Sequence, residues 1–352
     1  MKSPLDSSRP LPEPLPGTPA EKPGLAPALT LLLLAPIIAE VLMGATRISV
    51  IYVLIPEIMV WGCGALMIRE AVRRWRAGWA SMILLGLALA VAEECVIQQT
   101  SLAPLVGVKH VYGRFFGVNW IYLLGLLVYE CVWVVLVPVE LTELLFPARR
   151  HQPWLRKRGL AISGIVFVIG SYIAWYAWTQ RARPMVFHVP IYQPPLLDIA
   201  TALAVILLLI LAAFRLRGVR LLKAGKARPA PRPWLVGLAT FLLSLLCFLL
   251  IGFAYGAAPH LPFWIAMVGG SVWAVFNLML IRHWASSPDW CEMHRFALVF
   301  GALLASMSAG FMTLAAGALP IDWIGKSVLN VLAVVLMIRL AQKLRLRAVL
   351  KS

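Results

Sequence analysis

Ten runs of about twenty apolar residues divide this chain, and a run of that length is what one α-helix needs to cross a hydrocarbon core. They fall at 27–46, 50–70, 79–99, 119–145, 159–178, 196–214, 234–253, 261–281, 296–316 and 320–341. Lipid offers no partners to backbone N–H and C=O groups, so each run must satisfy them internally, as a helix does. The sequence therefore predicts an all-α, polytopic transmembrane bundle of about ten spans. Composition agrees, since 61% of the 352 residues are hydrophobic and 13% charged, whereas soluble domains are about a quarter charged. Pro138 is expected to kink the fourth run or to end its buried part.

The formal charge of +17 could indicate a nucleic-acid binder, but its distribution excludes one. The bases stand in short clusters between apolar runs, as in cytoplasmic loops, and no soluble domain exists to present a groove. With the amino terminus inside, 26 of the 32 Lys and Arg fall on inner segments. Only Arg47, Lys109, Arg114, Arg181, Arg183 and Lys326 fall outside. Lys and Arg concentrate on the cytoplasmic side, so the orientation expected is N-in and C-in, in a bacterial cytoplasmic membrane.

Five segments follow. Residues 1–26 are Pro-rich, lack an apolar run and are expected as a disordered tail with no signal peptide. Residues 27–214 form a six-span part, 215–233 a basic linker, 234–341 a four-span part and 342–352 a basic tail. Anionic lipid heads are a secondary reading of the linker, whose bases already satisfy the loop-charge rule. Small residues in "GALLASMSAGFMTLAAG" at 301–317 suit close helix packing. The partner implied throughout is the lipid bilayer.

Acids inside such runs are costly, at about 2.5–3.5 kcal/mol each near a span centre. Five fall in the outer half of four consecutive spans. Counted at 1.5 Å per residue from the outer ends, Glu40 lies roughly 9 Å deep, Glu57 about 11 Å, Glu93 and Glu94 about 8–9 Å, and Glu130 about 16 Å. All five are in the outer half and must face the bundle interior or water. Adjacent side chains on a helix diverge by about 100°, so Glu93 and Glu94 are expected to face different partners. Glu94, Gln98 and Ser101 fall at i, i+4 and i+7 as one polar stripe, and Asn119 shares a face with Glu130. Pro36 and Pro56 stand near Glu40 and Glu57, where each frees a backbone carbonyl. The site expected pairs Glu94 with Glu130 in an outward-facing cavity, with Glu93 beside them and Glu40, Glu57, Gln98 and Asn119 as binding groups. Two carboxylates sharing a site leave one acid and one base, which suits water activation, proton relay or cation binding.

Metal is not indicated. His110, His188 and His260 lie on outer loops without ligand spacing, and His151, His283 and His294 lie inside. The inner stretch "HWASSPDWCEMHR" at 283–295 reads as a capped turn ahead of the ninth span. The five cysteines make no CxxC and suggest no disulfide framework. No residue pattern names a cofactor or a substrate.

The Glu93–Glu94 pair resembles the CAAX-protease and bacteriocin-processing family of intramembrane proteases, whose motif is Glu-Glu-x-x-x-Arg followed by two histidine motifs. Here Gln98 stands at the arginine position, and "FGVNW" offers Phe116 with Trp120 at the histidine position. The resemblance covers residues 79–145 and implies a glutamate pair that activates water. "AEECVIQQ" followed by "VNW" is also similar to bacterial multi-pass proteins that carry no functional description. Three functions stay open on these residues. One is a hydrolase acting on peptide or lipid near the outer surface. Another is a proton- or cation-coupled transporter, for which the last four spans offer only Asn277 and Asn330 as clear polar groups. The third is a non-catalytic membrane scaffold.

Overall fold

The computed structural model describes residues 24–107, 112–218, 229–256, 261–314 and 317–350. The tail before residue 24, most of the linker, Lys109, His110 and His260 lie outside these. Ten apolar helices stand where the ten runs predict them. They are α1 Ala26–Leu42, α2 Ile48–Arg74, α3 Trp79–Ile97, α4 Trp120–Leu145 and α5 Lys157–Val186. The rest are α6 Leu196–Gly218, α7 Pro233–Ala254, α8 Phe263–Ala285, α9 Glu292–Leu314 and α10 Pro320–Val349. Among the described residues nine are long and apolar enough to cross a membrane, and α1 is shorter at 17 residues. A two-residue hairpin, β1 Arg114–Phe115 with β2 Val118–Asn119, precedes α4.

Three boundaries differ from expectation. The α1 helix stops at Leu42, four residues early, because the chain leaves helical geometry at Gly44, whose φ of 91° disfavours any side chain. Past its expected end, α5 continues through Pro184, within a π-helical segment at Tyr176–Val186 that absorbs the missing N–H. The basic tail expected from 342 is instead helical to Val349, since its Leu, Arg, Lys, Gln and Ala residues are good helix formers. Nor does Pro138 end α4, which runs on to Leu145.

α1, α2, α3, α4 and α9 supply most of the buried core, centred on Trp133, Tyr129 and neighbouring aliphatics. Trp133 stacks on Tyr129 at 5.3 Å, meets Phe248 of α7 at 5.3 Å and donates its indole N–H to Ala302 O at 2.9 Å. The small residues of α9 let backbones meet, as predicted. A Cβ on Gly301 would stand 2.3 Å from Gly237 O, and one on Gly310 would stand 1.5 Å from Met43 O. Hydrogen bonds also join the first six helices to the last four: Ser49 N and Oγ donate to Asp322, and Lys326 Nζ donates to Leu42 O.

α5, α6, α8 and α10 turn large apolar side chains outward, among them Ile165, Val168, Leu207, Leu208, Val272 and Val331. Contiguous apolar surface of that extent is untenable in water. The chain is a multi-pass helical membrane protein.

At the end of the bundle where α2 and α4 finish, acids and bases are paired. Arg69 and Glu70 are fully buried and bonded to each other at 3.2 Å. Glu143 receives Arg69 at 3.3 Å and Arg73 at 2.6 Å, while Arg295 pairs with Glu140. The Arg69 guanidinium lies 3.5 Å over the Trp154 ring and donates to the carbonyls of Arg150 and Gln152. Glu70 accepts the backbone N–H groups of Trp154 and Leu155. The loop after α4 is thereby fastened to α2. Removing one member of a buried ion-pair network leaves the other charge uncompensated, so Arg69→Ala is expected to cost about 3–5 kcal/mol. A thermal melt in detergent checks this, and an unchanged midpoint would refute it. Arg69→Lys should not restore stability, because an ammonium can neither fork between carbonyls nor stack on Trp154.

Candidate functional site

All four acid-bearing helices leave the α-helical register at their acids. Glu40 lies within a π-helical segment at Ile37–Leu42, and Glu57 directly precedes one at Ile58–Gly62. Glu93 and Glu94 lie within Ala92–Ile97, and Glu130 opens Glu130–Leu136. Prolines bracket three of these segments: Pro36 and Pro56 just before, Pro138 just after. A proline withholds one N–H and crowds the carbonyl four residues back, and for Pro138 the wider turn at Glu130–Leu136, which holds that carbonyl, relieves both.

The segments bring the acids together. The Thr46 hydroxyl donates to Glu57 Oε1 and lies 3.4 Å from Glu40 Oε2. Glu94 Oε2 accepts the hydroxyls of Thr100 at 2.6 Å and Ser101 at 2.8 Å. The Glu94 and Glu130 carboxyl groups are neighbours within interaction distance of each other. Glu93, only 1% exposed, has no partner for either oxygen. It faces away from Glu94's partners, within electrostatic reach of Glu57 and Glu40. Glu130 lies in reach of Glu93 and Glu40 as well. The five form one cluster, and Glu93 and Glu94 do diverge.

Among the described residues no base makes a salt bridge to any of the five. Lys326, 2% exposed, is spent on the carbonyls that end α1: it donates to Leu42 O at 2.7 Å and Met43 O at 2.9 Å, and sits over the Phe311 ring. Protons must therefore do the compensating. Two carboxyl groups can be hydrogen-bonded only if one of them carries the hydrogen. Glu94 Oε2 accepts two hydroxyls, the pattern of an ionised carboxylate, whereas Glu130 Oε2 has no partner.

Two expected contacts take another form. Glu94, Gln98 and Ser101 do not run along one helix face, because α3 ends at Ile97 and Gln99 adopts a left-handed φ of 58°. Ser101 returns to Glu94 through the resulting turn, while Gln98 stands beside Glu93, too loosely for a well-formed hydrogen bond. Asn119 precedes α4 with non-helical φ and ψ, so it shares no helix face with Glu130. Its amide donates to Thr100 O at 3.1 Å and Ala103 O at 2.6 Å and accepts from Arg114 at 2.9 Å. Asn119 thus clamps the buried turn that carries the Glu94 partners.

A cavity of about 120 Å³ lies on the other side of that turn, lined by Gln98, Thr100, Tyr122, Trp178, Arg183 and Tyr255 with two aliphatic residues. None of the glutamates lines it. Thr100 belongs to both, with its hydroxyl on Glu94 and its side chain in the cavity wall. In place of the expected carboxylate-lined cavity stands one that touches the acid cluster through Thr100.

The remaining polar groups have structural work. Asn277 bonds to Trp273 O within its own helix. In the 283–295 stretch, Asp289 accepts from Ala230 N at 3.0 Å and from the Ser287 hydroxyl, donors that hold its carboxyl below the usual range. His294 meets Pro231 O at 3.0 Å, so the stretch is a turn that grips the end of the linker. Among the described residues no three His, Cys, Asp or Glu side chains are placed to hold a metal.

Thr46, Thr100, Tyr122 and Arg183 were not among the groups the sequence singled out. A signal for two of them exists: each threonine follows a helix-ending glutamate, Glu40 or Glu94, by six residues. That spacing spans one helix end and its turn. Thr46→Val keeps the shape but leaves Glu57 without its hydroxyl donor, and should destabilise the protein by about 1–3 kcal/mol. Thr201→Val, at an exposed hydroxyl bonded within its own helix, should stay within about 0.5 kcal/mol. Equal melting shifts for the two variants would contradict this.

No family model matches the chain, and neither a curated protein nor a solved structure matches it.

Proposed function

We propose that this is a bacterial cytoplasmic-membrane protein whose outer-half glutamates perform acid–base hydrolysis of a peptide or lipid near the bilayer surface. The observation that carries the reading is the unlike surroundings of these neighbouring carboxyl groups, with two hydroxyl donors on Glu94 Oε2 and none on Glu130 Oε2. Glu94, with its hydroxyl donors, is the general base toward water, and Glu130 is the proton donor to the leaving group. Such a pair contributes about 10²–10⁴-fold when correctly placed. Glu93 lies beside the pair, with neither of its oxygens bonded. The resemblance to intramembrane proteases agrees with the glutamate pair, although the histidine motifs of that family have no counterpart here.

The test is turnover of quenched-fluorophore peptides and of ester lipids by the purified protein in vesicles. Glu94→Gln and Glu130→Gln should each lower a measured rate by about 10²-fold or more, and the double variant should be no worse than either. Additive losses, or full activity in either single variant, would overturn the pairing. A second reading, a proton-carrying device, is favoured by Glu93, whose oxygens lack partners between the Glu57–Glu40 and Glu94–Glu130 groups. No turnover of either substrate class, together with proton flux into dye-loaded vesicles that Glu93→Gln abolishes, would establish that reading instead.

The orientation that goes with either reading is ten spans, N-in and C-in, with the acids toward the outside. In a background lacking the five native cysteines, Gln98→Cys should react with an impermeant thiol reagent added outside intact cells. Glu93→Cys, behind the turn, should not react. Labelling of an Arg156→Cys protein from outside would reverse the orientation.

A further inference from the structure

Arg183 is 2% exposed, yet among the described residues no carboxylate is within salt-bridge distance of it. Its two terminal nitrogens both point at one acceptor, Pro104 O, at 3.1 Å each. A guanidinium carries five N–H groups, so one carbonyl leaves most of them unused. Its Nε is buried without a partner. So is the indole Nε1 of Trp178, on the same π-helical segment of α5. A buried charge normally costs several kcal/mol unless it is paired, and a buried N–H costs about 1–3 kcal/mol. Both residues line the cavity of about 120 Å³, together with Gln98, Tyr122 and Tyr255. The wall thus holds a full positive charge, and among the described residues no acid lines it.

We infer that this cavity is a binding site for an oxyanion, a phosphate or carboxylate group held by the Arg183 guanidinium and the Trp178 indole N–H. Its volume holds one such group with a water or two and excludes a peptide or an acyl chain, which take several times that space. The site lies at the outer end of α5, where a lipid headgroup and a dissolved anion both have access. The inference goes beyond hydrolysis and does not depend on it, since neither Glu94 nor Glu130 lines the cavity.

The test is ligand-induced stabilisation of the full-length protein, delipidated in an uncharged detergent. The probes are inorganic phosphate, a short-chain phosphatidic acid and the diacylglycerol of the same chain length. Phosphate or phosphatidic acid at saturation should raise Tm by about 2–4 °C, and diacylglycerol should not. A response to both identifies the anion itself as ligand, and a response to phosphatidic acid alone identifies a lipid headgroup. Arg183→Gln should abolish the shift, and Arg181→Gln, an exposed neighbour stacked on Tyr176, should keep it. Trp178→Phe, which removes one N–H and keeps the ring, should weaken apparent affinity about three- to tenfold, a readout that survives if Arg183→Gln does not fold. No shift with either anion, an equal shift with diacylglycerol, or an undiminished affinity in Trp178→Phe would overturn the inference.

Discussion

A carboxyl group removed from water keeps either a counter-charge or a proton, and this bundle uses one solution at each end. Where α2 and α4 finish, Glu70, Glu140 and Glu143 meet Arg69, Arg73, Arg74 and Arg295. That end is held by fixed charge and by a loop fastened to it. In the other cluster, Glu57, Glu93, Glu94 and Glu130 are as deeply buried and meet hydroxyls and one another. Fixed ion pairs are static, whereas a proton shared among acids can move. The difference in chemistry between the two ends follows from the absence, among the described residues, of a base paired with the second cluster.

The cluster exists because four helices depart from α-helical register at the same level. A regular helix would carry Glu94 and Ser101 on one face and leave the adjacent Glu93 at an angle without purpose. Ending α3 at Ile97 lets the chain fold back, so that Thr100 and Ser101 approach Glu94 from the turn while Glu93 faces α1 and α2. Asn119 holds that turn by its carbonyls, and Arg114 holds Asn119. The order of dependence runs from the hairpin before α4, through the buried turn, to the carboxylate.

The helices were legible in the sequence because lipid leaves a chain little choice. A run of twenty apolar residues has one way to satisfy its backbone, and all ten runs became helices near their expected limits. Glycine-mediated contact at α9 was legible for a similar reason, since the small residues at 301–317 admit close backbones. The acids were legible as costs, and the packing of α3 against α4 follows from consecutive spans being neighbours. The positions of Gln98 and Asn119 were not, because counting 3.6 residues per turn assumes a register that the π-helical segments break. Glu70, Glu140 and Glu143 drew no attention, being at span ends where acids are common. Their importance depends on which arginines a tertiary fold brings to them. Arg183 was counted only as a loop charge, and nothing in its neighbours "RARPM" indicates that helix continues past Trp178 and carries it inward.

Thr100 joins the two halves of the site. A hydroxyl has one hydrogen to give, and Thr100 gives it to Glu94 at 2.6 Å, so it has none left to donate toward the cavity. Arg183, Trp178 and Gln98 on the same wall offer N–H groups. The cavity is therefore polarised, with an acceptor on the glutamate side and donors on the α5 side. An oxyanion is repelled from the first and held by the second, whereas a water hydrogen-bonds to both. A water at Thr100 would be separated from the Glu94 carboxylate by one hydroxyl, through which a proton can pass when that hydroxyl reverses its donor. Placement of the anion away from the acids, and of water toward them, follows from the direction of a single hydrogen bond.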